Sequence, residues 1–155
     1  MIKISKLADY GIVLLSCMAQ QPKTESYTAR ELSSGSGLPL PMVSKVLKLL
    51  TRENILVSHR GVKGGYSLSR DPESINAAEI IGALDGPIAL TSCLDEGHIN
   101  CCIESNCAVR DYWGLINDKI IDSLQSVSLA EMCLQPTLTK KVEKTAASTH
   151  SPATG

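Results

Sequence analysis

The chain has 155 residues, 43% of them apolar, enough for one domain with a sizeable core and a helix beyond it. Its apolar runs fall well short of the ~18 residues a membrane span needs. MIKISKLADYG continues into protein, with Asp9 and Tyr10 where a signal peptide would stay apolar, so a cytoplasmic protein with no membrane partner is expected. The formal net charge of -1 conceals an asymmetry: residues 1–70 hold 10 Lys and Arg against 4 Asp and Glu, a net of +6, whereas residues 71–155 hold 5 against 12, a net of -7. A basic first half suits a polyanionic partner.

Ile4, Leu7, Leu14 and Met18 recur at helical spacing around the small Gly11, which predicts a first helix from Ile4 to Gln20, stopped by Pro22. Thr28 followed three residues later by Glu31 is a capping-box signature, in which each side chain satisfies the other's main-chain N–H. It predicts a short helix over 28–34, ended by Gly35 and Gly37. A third helix starts near Pro41, whose missing N–H leaves nothing unpaired in a first turn, and runs to Arg52. Val43, Val46, Leu47 and Leu50 form its inward face, with Pro41, Ser44, Lys45, Lys48 and Arg52 on the other side. Helix, glycine turn, helix is the order of a helix-turn-helix. ILVSH and YSLSR then read as two short strands around the basic turn RGVKGG. They make a wing whose tip carries Arg60 and Lys63, placed to enter a minor groove or touch phosphate.

After Pro72 an amphipathic helix is expected over Asn76–Leu84, broken by Gly86-Pro87. Val109, Trp113, Ile116, Ile120, Leu124 and Val127 then recur at steps of 4, 3, 4, 4 and 3, a long apolar stripe of the kind that pairs helices. A single domain of this size does not need such a helix to finish its core. Helix 109–127 is therefore expected to bury its stripe against the same helix of a second subunit, in a homodimer. Ser128 with Glu131 opens a short last helix, and the Lys-, Thr-, Ser- and Ala-rich stretch beyond Pro136 reads as a disordered tail. The fold class expected is mostly α with a small β-wing: a winged helix-turn-helix with a long C-terminal dimerisation helix.

Four of the six cysteines fall within CLDEGHINCCIESNC, from Cys93 to Cys107, a polar segment with no sustained period. Disulfide partners, a metal or iron–sulfur site, and chance are all open readings; in a reducing compartment, clustered thiols favour the metal. Adjacent side chains do not easily face one ion, so at most one of Cys101 and Cys102 is a ligand. Cys17 and Cys133, within helices, read as small buried hydrophobes. An enzyme is not expected. His59, His98 and His150 lack metalloenzyme spacing, and RGVKGGY leads from a strand into another strand, unlike a dinucleotide-binding loop.

ISKLADYG, the helix-turn-helix with HRGVKGGYSL, and spaced cysteines before a long helix together resemble the Rrf2 family of winged-helix repressors over roughly residues 1–135. The likeness is greatest to the subgroup regulating the SUF iron–sulfur assembly operon. It implies residues 1–85 as a DNA-binding domain, 86–107 as a cluster-binding loop, 108–135 as dimerisation and terminal helices, and 136–155 as the tail. It implies a homodimer on a partly palindromic DNA operator, with helix 41–52 in the major groove and Arg60 in the minor groove. The DNA-contacting set is Thr28, Pro41, Ser44, Lys45, Lys48, Arg52, Arg60 and Lys63, with Ser44 and Lys45 at base-reading positions.

By the same resemblance Cys93, Cys101 and Cys107 hold an iron–sulfur cluster, 2Fe–2S or 4Fe–4S; Cys101 keeps the family's gap to Cys107, with Cys102 as its alternative. The family's iron–sulfur regulator takes a histidine as fourth ligand where this chain has Arg110, which has no lone pair to donate. Asp9 matches the aspartate that completes the cluster in the family's nitric-oxide sensor, reaching across from the partner subunit; His98 is the substitute. Two rival readings keep the fold: a structural zinc on the same thiols, and a thiol-redox switch at Cys101 and Cys102.

Overall fold

The computed structural model of the chain describes residues 3–20, 26–62, 64–95 and 107–134. In chain order these form α1 (Lys6–Ala19), α2 (Ala29–Ser36), α3 (Leu40–Arg52), β1 (Leu56–His59), β2 (Gly65–Leu68), a 3-10 turn at Pro72–Ser74, α4 (Ala77–Asp85), α5 (Arg110–Gln125) and α6 (Leu129–Cys133). The fold is mostly helical with one small antiparallel sheet, the class expected from the sequence. Among the described residues no helix is long and apolar enough to cross a membrane.

Caps set the helix boundaries, and they move three of the expected ones. The first helix starts at Lys6 instead of Ile4 because the Ser5 hydroxyl accepts from the Leu7 and Ala8 N–H groups at 3.1 and 3.2 Å, leaving Ile4 outside the helix and exposed. Ser5 is itself held from a distance: its N–H donates to the Asp85 carboxylate at 3.1 Å, and its hydroxyl donates to the same group. This ties the start of α1 to the end of α4. The second helix continues through Gly35 and stops at Gly37, whose φ of 73° is the left-handed conformation glycine adopts without strain. Thr28 and Glu31 form the complete capping box, as do Ser128 and Glu131 ahead of α6. Asn76 caps α4 by accepting from the Glu79 N–H at 3.0 Å, so that helix begins one residue later than its apolar spacing suggests.

One core joins these elements. From α1 come Ala8, Leu14, Leu15 and Met18; from α3, Val43, Val46, Leu47 and Leu50; from α4, Ile80, Ile81 and Leu84; Leu32, Ile55, Leu56, Leu68, Ile75 and Leu129 close it. Each fully buried aliphatic side chain contributes about 2 kcal/mol over an exposed one, so the four from α3 hold that helix firmly against α1. Gly11 is small for a packing reason, since a Cβ there would collide with the end of the Leu84 side chain. α1 thus lies against both α4 and α3.

In the sheet Leu56 pairs with Leu68 and His59 with Gly65. Tyr27 adds a further bridge, its N–H donating to the Tyr66 carbonyl at 2.9 Å and its carbonyl accepting from the Tyr66 N–H at 2.8 Å. The close approach explains Gly65: a Cβ there would stand 2.7 Å from the Tyr27 carbonyl oxygen. At the other end, the Ala77 N–H donates to the Val127 carbonyl at 3.0 Å and the Leu129 N–H to the Ile75 carbonyl at 2.7 Å. These bonds bring the chain after α5 back onto the body, where α6 packs against α1.

Candidate DNA-reading face and cysteine loop

With its apolar side buried, α3 turns Pro41, Lys45, Lys48 and Arg52 to solvent, and Ser44 is half-buried beside them. α2 precedes it, connected through the Gly37 turn. The outward residues therefore form a polar, cationic stripe on a helix whose backbone is held from behind. Arg52 is paired with its neighbour Glu53 at 3.0 Å, an exposed pair of little energetic weight that leaves the guanidinium accessible. Thr28 has a second task. Its hydroxyl accepts from the Glu31 N–H at 3.2 Å and donates to the Glu31 carboxylate at 2.8 Å, so its proton is committed to the cap. The Thr28 main-chain N–H, which donates to the Glu31 carboxylate at 2.7 Å, and after it the hydroxyl, hold that carboxyl below the usual carboxylate range.

The wing carries exposed Arg60 beyond β1, next to Gly61 with φ of 108° and fully exposed Val62. Lys63 lies outside the described residues. His59 and Ser67 meet across the strands at 2.8 Å.

The cysteine segment leaves α4 through Gly86 and returns at Cys107, just before α5. Cys93 and Cys107 are both half-buried free thiols, and the Cys93 sulfur lies 3.1 Å from the Thr91 hydroxyl. Cys101, its alternative Cys102, and His98 lie outside the described residues, as does the tail 136–155. Asp9 is exposed on the first turn of α1. Among the described residues no three His, Cys, Asp or Glu side chains gather to hold an ion, so Asp9 does not meet Cys93 and Cys107 as a set within one chain. The donor chemistry suits a soft centre: half-buried thiols flank the polar loop at both ends.

Cys17 and Cys133 belong to a different environment. Both pack against the core, where burial pushes each thiol up, and for Cys17 the nearness of Cys133 adds to the rise. Half-buried against the core and kept protonated, both thiols behave as small hydrophobes.

α5 departs most from ordinary packing. Tyr112, Trp113 and Leu115 are 67%, 41% and 58% exposed, and Val109, Ile116 and Val127 are exposed with them. Ile120 and Leu124 are half-buried and line an apolar groove of about 270 Å³ together with Ile4, Ile81 and Pro87. The apolar stripe read from the sequence is thus only partly covered by the chain's own residues. The apolar periodicity gave no sign of Asn117, which among the described residues is the buried member of α5.

A family model for Rrf2, described as an iron-dependent transcriptional regulator, matches residues 4–135. The chain belongs to the Rrf2 family. Its similarity to individual members is distant but long. An rrf2-like HTH-type transcriptional regulator of Rhodobacter capsulatus is 27% identical over 131 residues, 82% of this chain and 87% of that protein. The regulator IscR of an Enterobacter species is 24% identical over 131 residues, 84% of this chain and 79% of its own length. Among solved structures, CymR, the global cysteine regulator of Bacillus subtilis, superposes with a TM-score of 0.67 at 25% identity, covering 86% of this chain and 97% of CymR. A transcriptional regulator from Listeria innocua superposes with a TM-score of 0.68 at 25% identity, over 97% and 96% of the two chains. The Rrf2 assignment identifies the chain as a transcriptional regulator and the two-stranded sheet as the wing of a DNA-binding head.

Proposed function

We propose that this Rrf2 protein is an iron–sulfur cluster-sensing repressor that acts in the cytoplasm as a homodimer on a palindromic operator and controls SUF-type cluster assembly genes. The observation carrying the reading is the combination, in a member of a family described as iron-dependent, of two half-buried thiols flanking a polar loop beside a helix with an uncovered apolar face. In this reading α5, which carries the apolar stripe expected over 109–127 but itself spans Arg110–Gln125, pairs with its counterpart in the partner. Cys93, Cys101 and Cys107 hold the cluster, with Asp9 supplied from the partner's first helix. Pro41, Ser44, Lys45, Lys48 and Arg52 face the major groove, Thr28 anchors the edge of the motif, and Arg60 with Lys63 reach the minor groove or its phosphates. Residues 1–85, 86–107 and 108–135 then divide the work into reading, sensing and pairing.

The cluster, when bound, supplies a centre that oxidants or iron shortage remove. The chain's own contribution is geometric: a ligand taken from the partner's α1 makes occupancy of the site a constraint between the two reading heads, the state-dependent interaction a two-state switch requires. Asp9 sits on the helix that packs against α3, so a pull on it acts close to the recognition helix.

The test is protein purified without oxygen, with its spectrum recorded and iron and sulfide assayed on the same sample. Absorption near ~400 nm with iron and sulfide in comparable amounts is expected, and Asp9→Ala should then shorten cluster lifetime without lowering apo-protein solubility. Colourless protein with stoichiometric zinc would replace the sensor with a zinc-bound repressor. A second reading, a thiol-redox repressor, has the cysteine regulator CymR among similar folds in its favour. It predicts metal-free protein whose operator binding responds to peroxide and survives Cys93→Ser.

A further inference from the structure

We propose that Asn117 is a positioning residue for the cysteine loop, holding Cys93 within reach of Cys107; the consequence for a metal rests on the cluster reading above, the geometry does not. Asparagine is a mediocre helix former, and a buried amide left without partners is destabilising. Asn117 nevertheless sits mid-helix in α5 at 8% exposure. Both ends of its amide are used. Oδ1 accepts from the Leu90 N–H at 3.0 Å, and Nδ2 donates to the Ile88 carbonyl at 3.1 Å. Each partner is main chain, so the amide holds the backbone path of residues 88–90 independently of the side chains there.

Those residues lie between α4 and Cys93. Leu90 precedes Cys93 by three residues, and Cys107 precedes Arg110, the first residue of α5, by three. From Asn117 back to Arg110 the helix rises about 10 Å, and three residues of chain reach at most about 10 Å. The two ends of the cysteine loop are therefore fastened to one rigid helix: Cys107 through the chain itself, and Cys93 through the clasp on Leu90. The Thr91 hydroxyl, 3.1 Å from the Cys93 sulfur, belongs to the residue immediately after the clasp. Without Asn117 the main-chain path leading to Cys93 would lose its hold on α5, and bringing the two thiols together would carry the closure entropy of the intervening chain. A centre bound by both thiols should then be held about 10–100-fold less tightly, the usual effect of losing a residue that orients a metal ligand.

The experiment uses the full chain, metal-free, with Cys17 and Cys133 replaced by Ala and Cys101 and Cys102 by Ser. Cys93 and Cys107 are then bridged with dibromobimane, which fluoresces once both arms have reacted with thiols. Asn117→Leu keeps the branched heavy-atom shape and removes both hydrogen bonds; it should slow bridging at least fivefold while helix content and single-thiol alkylation stay at wild-type values. Asn117→Asp, which keeps the acceptor for Leu90, should recover part of the rate. In the chain with all its cysteines, reconstituted anaerobically, Asn117→Leu should release its cluster to a chelator about 10–100-fold faster. A folded Asn117→Leu protein that bridges at the parent rate, or a parent that does not bridge, would overturn the assignment. If Asn117→Leu fails to fold, Leu90→Pro removes the main-chain partner from outside the helix and is held to the same fivefold criterion. A chain that takes up no cluster defeats the proposed function, while the bridging rates still decide the role of Asn117.

Discussion

In residues 6–85 each long helix turns its apolar face inward, and α3 buries Val43, Val46, Leu47 and Leu50 completely. α5 carries an equally regular stripe, yet its Trp113 and Ile116 stay exposed and an asparagine is the buried residue of the helix. The same 3.6-residue periodicity therefore has two outcomes. Around α3 the facing surface belongs to the same chain, in α1 and α4. For the first half of α5 the chain offers no such surface among the described residues, and a second subunit is the proposed cover. Periodicity shows that a face seeks burial and is silent about which molecule supplies the other side.

The largest expected difference between the two regions is in stability. Leu47→Ala should destabilise the protein by about 3 kcal/mol through reduced burial and the cavity left behind, seen as a lower urea midpoint whatever the protein concentration. Ile116→Asp should leave helix content near wild type but shift the sedimentation coefficient from dimer to monomer and weaken operator binding at least tenfold. An Ile116→Asp protein that remains dimeric at micromolar concentration would break the contrast between the two stripes.

A smaller effect distinguishes the cations of the reading head. Lys48→Ala and Arg60→Ala should each weaken binding across sequences and reduce the slope of log K against log salt by about one, as expected when one phosphate is no longer neutralised by the protein. If either variant instead changes base preference with an unchanged salt slope, its side chain reads base edges.

The two capping boxes give a milder comparison, one in each region. Thr28→Ala should cost about 1 kcal/mol and disturb α2, the first helix of the helix-turn-helix, so operator affinity should fall with stability. Ser128→Ala acts on α6, which packs against α1 and the 3-10 turn, and should lower stability while sparing affinity. The sign of the pH dependence follows from Glu31, whose carboxyl is lowered by its bonds to Thr28. Its contribution is fully present above the ordinary carboxylate range and is lost as pH falls through the lowered value. Acid unfolding of Thr28→Ala should accordingly show a weaker pH dependence than wild type in that window.

Smallest in energy is the contrast between thiols. Burial pushes Cys17 and Cys133 up, so in folded protein near pH 8 iodoacetamide should label them slowly, with rates rising only above the ordinary thiol range. Rapid labelling of Cys17 in folded protein near pH 8 would contradict the packing of α1 against α6.

Much of the reading head is legible in the sequence. Thr28 with Glu31, Pro41, the spacing of Val43, Val46, Leu47 and Leu50, and the glycine-rich turn after His59 are local signals, and local hydrogen bonding and burial decide those elements. Two helix starts shifted through caps: Ser5 and Asn76 take helix N–H groups that apolar spacing does not report. The cysteines, too, announced themselves by clustering. Three features depended on chain brought together over long distances: the Asp85 carboxylate holding Ser5, Gly11 set close against Leu84, and Asn117 clasping residues 88 and 90. A sequence states what each residue requires, a partner for an amide or cover for an apolar face. The tertiary structure alone decides which distant group satisfies it, because that depends on how helices separated by tens of residues come to lie side by side.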